Sequence, residues 1–202
     1  MLITESIIAV VIAYLFGSIS SAIIVCKLMG LPDPRTQGSR NPGATNVLRI
    51  GGKKAAIITL LGDMLKGVIP VLIVKWMGLS DITIALVTFA AFLGHLYPIF
   101  FGFEGGKGVA TALGCILALS WPTGLAWLLT WVVVAVLFRY SSLSSLVASI
   151  LAPFYIGYVT HDIIFAATIA VMSVILIFRH RSNIQKLLQG QENKIGKRKP
   201  TS

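Results

Sequence analysis

A run of four residues, Gly105, Gly106, Lys107 and Gly108, leads directly into an apolar stretch. Such a run is suited to phosphate. Glycines leave backbone N–H groups open to a ligand, a helix start adds a positive dipole, and the lysine adds a full charge. It is not a Walker A loop, because the spacing is short and Gly108 follows the lysine in place of Ser or Thr. The plain alternative is a tight turn between two apolar segments. Ahead of it, residues 31–54 read LPDPRTQGSRNPGATNVLRIGGKK. Their Gly, Pro, Asn, Ser and Thr turn the chain and cap helices, as a linker would. The length, about 25 residues, favours a binding or lid element instead. Within it Ser39, Asn41, Thr45, Asn46 and Arg49 offer hydroxyl, amide and guanidinium groups, a mix that fits hydroxyls and phosphate.

A third polar segment, residues 179–192, reads RHRSNIQKLLQGQE. The basic end of a membrane helix explains its Arg and Lys, but leaves His180, Asn183 and Glu192 unexplained. If one helix carries them, His180 and Asn183 stand three apart and share a face. A smaller turn, Arg139, Tyr140, Ser141 and Ser142, adds one more cation and two hydroxyls. Several chemistries drop out. Three histidines and seven carboxylates lie scattered, with no H-E-x-x-H and no zinc spacing, so no metal site is expected. There is no G-x-S-x-G elbow. Nor is there H-x-x-x-x-D, since Phe100, Ala166 and Gln185 stand five residues after the histidines.

The elements that position these segments are membrane helices. The 202 residues are 56% hydrophobic and 12% charged, with a mean hydropathy of +0.87. Soluble domains carry about 25% charged residues. Seven apolar stretches are predicted, at 3–28, 54–77, 81–101, 108–121, 123–139, 143–160 and 162–179, the fourth being short for a ~30 Å hydrocarbon core. The first has no basic region before it and no A-x-A site, and reads as a retained helix, not a signal peptide. Of the 17 Lys and Arg, all but Lys66 and Lys75 fall on the side holding residues 29–53, 102–107, 140–142 and 180–202. The positive-inside rule makes that side cytoplasmic, with the N-terminus periplasmic and the C-terminus cytoplasmic. The loops opposite, 77–81, 120–123 and 160–162, are minimal. The expectation is an all-α integral membrane protein of seven transmembrane helices. Residues 1–202 form a single membrane-embedded domain, with 182–202 as a solvated basic tail.

Asp63 and Lys66 lie three apart inside the second stretch, with Lys66 about 18 Å from its start. Charges at that depth must pair or line a wet cavity. An internal ion pair that fixes packing is the favoured reading. His95, near the end of the third stretch, reads as a packing hydrogen bonder. Cys26 and Cys115 read as buried free thiols.

The motifs GSRNPGATNVLRIGGKK, GHLYPIFFGFEGGKGVAT and HRSNIQKLLQGQE, in this order over seven stretches, resemble those of the bacterial membrane acyl-phosphate:glycerol-3-phosphate acyltransferases. The resemblance covers nearly the whole chain. It implies an acyl-phosphate donor, glycerol 3-phosphate as acceptor, and lysophosphatidic acid plus phosphate as products, early in phospholipid synthesis at the inner membrane. It also implies no metal, no cofactor and no direct need for coenzyme A or acyl carrier protein. By resemblance Ser39, Arg49, Lys107, His180 and Asn183 carry the reaction. Asn41, Thr45, Asn46, Gly105, Gly106, Gly108, Ser141 and Glu192 surround the substrates. Position 40, often glycine in that family, is Arg40 here. Two other readings compete. A transporter of a phosphate-like anion would use the same basic face, but the one-sided polar residues and minimal opposite loops speak against it. A non-catalytic module binding acidic lipid through its tail leaves the first two motifs unexplained. Net charge alone, at +10, would suggest nucleic acid, but the topology accounts for it.

Overall fold

A computed structural model describes residues 2–196, and among these every regular element is helical. In chain order the α-helices are α1 (Leu2–Gly17), α2 (Ser21–Leu28), α3 (Ala44–Trp76), α4 (Asp81–Leu96), α5 (Val109–Leu119), α6 (Trp121–Phe138), α7 (Ser141–Thr160), α8 (Ile163–Arg179) and α9 (Arg181–Leu188), with one 3-10 turn at Ile99–Phe101. Local chemistry sets several starts. The Ser80 hydroxyl accepts from Thr83 N–H at 3.4 Å ahead of α4. The Asp162 carboxylate accepts from Ile164 and Phe165 N–H at 2.7 and 3.0 Å ahead of α8. Pro122 sits in the first turn of α6, where its missing N–H costs nothing.

By length and apolarity four segments can each cross a membrane: Ala44–Trp76, Asp81–Phe101, Trp121–Phe138 and Ser141–Thr160. Two bent pairs bring the number to six, α1 with α2 at 40° and α8 with α9 at 58°. The seventh expected stretch, 108–121, is the 11-residue α5. At 1.5 Å per residue it measures about 16 Å, half of a hydrocarbon core. Eight of its residues are buried, so neighbouring helices rather than lipid surround it. Lys75 reaches from α3 to its far end, where Nζ donates to the Ala118 and Leu119 carbonyls at 2.8 and 2.9 Å. Those carbonyls lie in the last turn, which has no intrahelical donors for them. This gives Lys75 a reason to stand apart from the other cations.

Small residues let backbones meet. A Cβ on Gly114 would lie 2.1 Å from the Met64 carbonyl oxygen, which packs α5 on α3. A Cβ on Gly17 would lie 2.2 Å from the Ala91 oxygen, which packs α1 on α4. Lipid offers no hydrophobic drive between helices, so such close contact supplies the association. The outward faces carry exposed Leu60, Leu61, Leu72, Val133, Val136 and Leu137, as hydrocarbon requires.

The Asp63–Lys66 pair is present and buried, with Nζ 2.9 Å from Oδ1. Lys66 also donates to the Ile19 carbonyl at 2.8 Å, in the break between α1 and α2. The pair therefore pins a broken helix, as the packing reading expects. Cys26 and Cys115 are buried free thiols.

Three expectations need correction. The first polar segment is not all loop: α3 begins at Ala44, and Gly52, with φ 76°, breaks it before the span proper. Thr45, Asn46 and Arg49 thus ride on two helical turns. His180 and Asn183 do not share one continuous helix, because His180 is the corner where α8 turns into α9. Of the expected tail, the described part, 182–196, is not free either. Through Leu188 it is helical, and the Ile195 N–H then donates back to the Arg139 carbonyl at 2.7 Å. Lys197, Arg198 and Lys199 lie outside the described residues.

Candidate active site

The glycine run sits between α4 and α5, closed at its end by Gly108 in the left-handed region at φ +87°. Its glycines are required by packing. A Cβ on Gly105 would lie 2.1 Å from the His95 carbonyl oxygen, and one on Gly106 would lie 2.2 Å from His95 Nε2. The Gly106 N–H itself donates to the His95 carbonyl at 3.2 Å, so it is not open to a ligand as the sequence suggested. His95, expected to bond within the helix packing, is buried with its ring against Gly106, and its Nδ1 stands 3.7 Å from Asp63 Oδ1. That distance is too long for a direct hydrogen bond.

Lys107 is the link to the third segment. Its Nζ donates to Asn183 Oδ1. Asn183 Nδ2 donates to Glu192 Oε1 at 2.8 Å, and the Ser142 hydroxyl donates to the same oxygen at 2.8 Å. One chain of hydrogen bonds thus joins the glycine run, α9, the returning 190–196 segment and the start of α7. Burial pushes the Lys107 ammonium down to about 8; Glu192 opposes the shift, and Lys186, Arg179 and Arg49 reinforce it. The cluster is a cationic site with one carboxylate.

His180 lies just beyond the end of α8 and is buried. Its Nδ1 bonds the Leu176 carbonyl at 2.8 Å. A carbonyl only accepts, so Nδ1 carries the proton, and a neutral ring presents Nε2 as an acceptor. Burial pulls this imidazole down to about 4, with Lys107 and Arg179 adding to the effect. The ring is neutral at pH 7.

In the first segment, Asn46 departs from its expected place at a substrate. It is fully buried, and its amide is spent on the chain. Nδ2 donates to the Pro34 and Gln37 carbonyls at 2.8 and 3.0 Å, and Oδ1 accepts the Ser39 N–H at 2.8 Å. Asn46 therefore shapes the loop that presents Ser39. The Ser39 and Arg49 side chains are exposed and have no hydrogen-bond partner among the described residues. Thr45, one turn before Arg49, places its hydroxyl 3.3 Å from that of Ser141. The Asn41 amide nitrogen lies by Gly43, 3.0 Å from where a Cβ would stand. Arg40 sits at φ 56°, a conformation that suits glycine.

Two arginines escape a reading of composition and motif. Arg35 forks onto Asp33 at 2.7 Å and donates to the Phe101 carbonyl at 3.2 Å, tying the first segment to the turn ahead of the glycines. That fork holds the Asp33 carboxyl below its usual range. Arg179 donates from Nη2 to the Gly105 and Gly106 carbonyls at 3.1 and 3.0 Å. Both look like ordinary flanking charges in the sequence. Among the described residues no His, Cys, Asp or Glu cluster could hold a metal ion.

The profile of the family described as Glycerol-3-phosphate acyltransferase matches residues 7–190. The chain is 58% identical over 184 residues to the glycerol-3-phosphate acyltransferase of Methylococcus capsulatus, covering 91% of this chain and 93% of that one. It is 56% identical over 200 residues to that of Burkholderia pseudomallei, covering 98% of each. The crystal structure of PlsY (YgiH), an integral membrane glycerol 3-phosphate acyltransferase, in its glycerol 3-phosphate form, aligns with a TM-score of 0.91. That alignment has 41% identity and covers 95% of this chain and 96% of PlsY. The lysophosphatidic acid form of PlsY aligns at 0.89 with 40% identity, covering 95% of this chain and 96% of PlsY. With three polar segments joined at one end of a helical bundle and relatives matched along nearly their full length, this chain belongs to the glycerol-3-phosphate acyltransferase family.

Proposed function

We propose that this protein transfers a fatty acyl group from acyl phosphate to the 1-hydroxyl of glycerol 3-phosphate, releasing lysophosphatidic acid and phosphate. The observation that carries the reading is the hydrogen-bonded chain from Lys107 through Asn183 and Glu192 to Ser142. It gathers cations and neutral donors at one place, as two phosphate esters brought together demand. Lys107 and the backbone at Gly108 and the start of α5 hold the donor phosphate, while the acyl chain lies among the helices. Arg49 takes the acceptor phosphate, with Ser39, Thr45 and Ser141 around its glycerol. His180 Nε2 accepts a hydrogen bond from a glycerol hydroxyl and orients it.

An acyl phosphate is already activated, so positioning and charge compensation are what the site must supply. The acceptor oxygen forms a bond to the acyl carbon, the bond from that carbon to the phosphate oxygen breaks, and the hydroxyl proton leaves with the phosphate. His180 at about 4 is a poor base at pH 7, which favours the phosphate as proton acceptor. Among the described residues the Ser39 hydroxyl has no hydrogen-bonded base, which disfavours a covalent acyl-serine.

The chain as a whole forms one membrane-embedded unit of the inner membrane. We infer seven crossings, counting α5 together with its buried surroundings, with the N-terminus periplasmic and the site on the cytoplasmic face. The cation distribution supports that orientation. Purified protein in micelles, given acyl phosphate and glycerol 3-phosphate, should release phosphate only when both are present. Release that ignores glycerol 3-phosphate would overturn the transferase reading. A cysteine at position 45 should resist labelling from the periplasm of intact cells; labelling would reverse the orientation.

A further inference from the structure

We infer that Arg139 and Ile195 form a clasp that holds residues 191–196 in register against the start of α7, which makes Arg139 a positioning residue for Glu192. The inference rests on the reading that the hydrogen-bonded chain through Glu192 serves the transfer. The segment leaves α9 at Gly190, whose φ of 67° turns the chain back, with the Gln191 N–H donating to the Lys186 carbonyl at 2.7 Å. Three contacts then follow in step. The Glu192 carboxylate accepts from the Ser142 hydroxyl at 2.8 Å, and Lys194 Nζ lies 5.5 Å from the centre of the Tyr140 ring. The Ile195 N–H donates to the Arg139 carbonyl at 2.7 Å. Each step forward along the segment is one step back along residues 139–142, so the two run antiparallel. Arg139 closes the last pair from both sides, since its Nη2 donates to the Ile195 carbonyl at 3.1 Å. Of residues 191–196 only Glu192 is turned partly inward; the others are exposed.

Arg139 ends α6 in the left-handed region at φ 64°, a position where glycine is the usual residue. A side chain strains the backbone there, and this one holds Ile195. Glu192 needs that hold because of what it does for Asn183. An ammonium only donates, so the Asn183 amide oxygen must face Lys107, and its nitrogen must face an acceptor, which is Glu192. With Glu192 withdrawn, the amide loses the acceptor that fixes this choice and is free to turn its N–H groups on the lysine, donor against donor. A slip of one residue along the segment has the same effect, since it carries the carboxylate to the opposite side of the chain. The α9 turn anchors the segment before Glu192 and the clasp anchors it after. The start of α7 therefore sets, through a segment fifty residues later in sequence, which way the amide beside Lys107 points.

The test uses Arg139→Gly, which removes the guanidinium, keeps the carbonyl and relieves the backbone, and Ile195→Pro, which removes the N–H. Each is assayed in micelles with acyl phosphate and glycerol 3-phosphate, beside its melting temperature and its rate of trypsin cleavage after Lys194. Each variant should lower kcat/KM about threefold, and the two together about tenfold, with cleavage after Lys194 faster in the same order. The melting temperature of Arg139→Gly should be no lower than wild type, which a merely structural role would not allow alongside a loss of rate. Wild-type kcat/KM in Arg139→Gly would sink the inference, and so would a loss of rate with unchanged cleavage, since Arg139 would then act by another route. Should Ile195→Pro fail to fold, Arg139→Gly decides alone. Glu192→Ala, or Glu192→Gln if the alanine variant does not fold, separates the two levels. If it keeps wild-type kcat/KM, the reading of the chain fails and takes the clasp with it; if it lowers kcat/KM while Arg139→Gly does not, only the clasp inference fails.

Discussion

Lys107 donates to Asn183 across 76 positions of sequence, and this contact joins the glycine run to the last helix. Because Asn183 also donates to Glu192, the lysine reaches the carboxylate through an amide rather than by direct pairing. A direct pair would neutralise the cation that a phosphate needs. In a double-mutant cycle of Lys107→Ala and Asn183→Ala, kcat/KM should show coupling of about 1–2 kcal/mol, the two losses overlapping. Additive losses would mean that the contact has no part in turnover.

Glycine substitutions in the run should damage the fold as well as the rate. Gly105→Ala drives a Cβ into the backbone oxygen of His95, which cannot swing aside. A stability loss of about 1–3 kcal/mol is expected. Gly106→Ala meets the His95 ring instead and should be milder. Melting temperatures in micelles check the order, which would be reversed if phosphate approach alone selected these glycines.

At the acceptor, Arg49→Ala should raise the glycerol 3-phosphate KM at least about tenfold, with the fold intact, since its side chain is exposed and makes no hydrogen bond or ion pair among the described residues. Arg49→Lys should recover only part, lacking the planar fork. Ser39→Ala should lower kcat instead. Equal, small changes in melting temperature with unchanged kinetics would leave both residues as loop formers.

The Lys107 ammonium, lowered to about 8 by burial, is charged below that pH and neutral above it. In the free enzyme, kcat/KM for acyl phosphate should therefore fall as pH rises through about 8. Lys107→Arg, charged at every accessible pH, should lose this limb even if slower overall. A limb that persists unchanged in the arginine variant belongs to another group.

Arg40 should be replaceable by glycine without loss. Its φ of 56° strains a side-chain-bearing residue and not glycine. Arg40→Gly is expected to match wild-type kcat/KM, measured with both substrates. A large drop would make the Arg40 guanidinium a phosphate contact.

Residue type and spacing marked out most of this site, and each gap has a physical cause. The apolar runs were legible because lipid tolerates few charges, and the glycine run because its lysine sits among residues without Cβ atoms. The first two turns of α3 were hidden, since Pro42, Gly43, Gly51 and Gly52 bracket them with residues that read as loop. Asn46 looked like a ligand group because an amide that serves the backbone has the same composition as one that serves a substrate. Arg179 was masked by the basic end of a membrane helix, where a cation needs no other reason. The return of residues 190–196 had no signal beyond Glu192, an acidic residue in a basic tail.

The two lysines of α3 differ in when their partners come into being. Lys66 has its counter-charge one turn back on the same helix, so that stretch can enter the bilayer as a neutral pair while the ribosome is still at work. The oxygens that receive Lys75 belong to residues 118 and 119, more than forty positions later, on a helix too short to partition by itself. Until α5 emerges, the end of α3 carries a cation without its final ligands; until α3 is in place, α5 lacks the surface that buries it. The contact between them can form only once both are present, and Lys75→Leu should let α3 settle without it while leaving the far end of α5 without these hydrogen-bond donors.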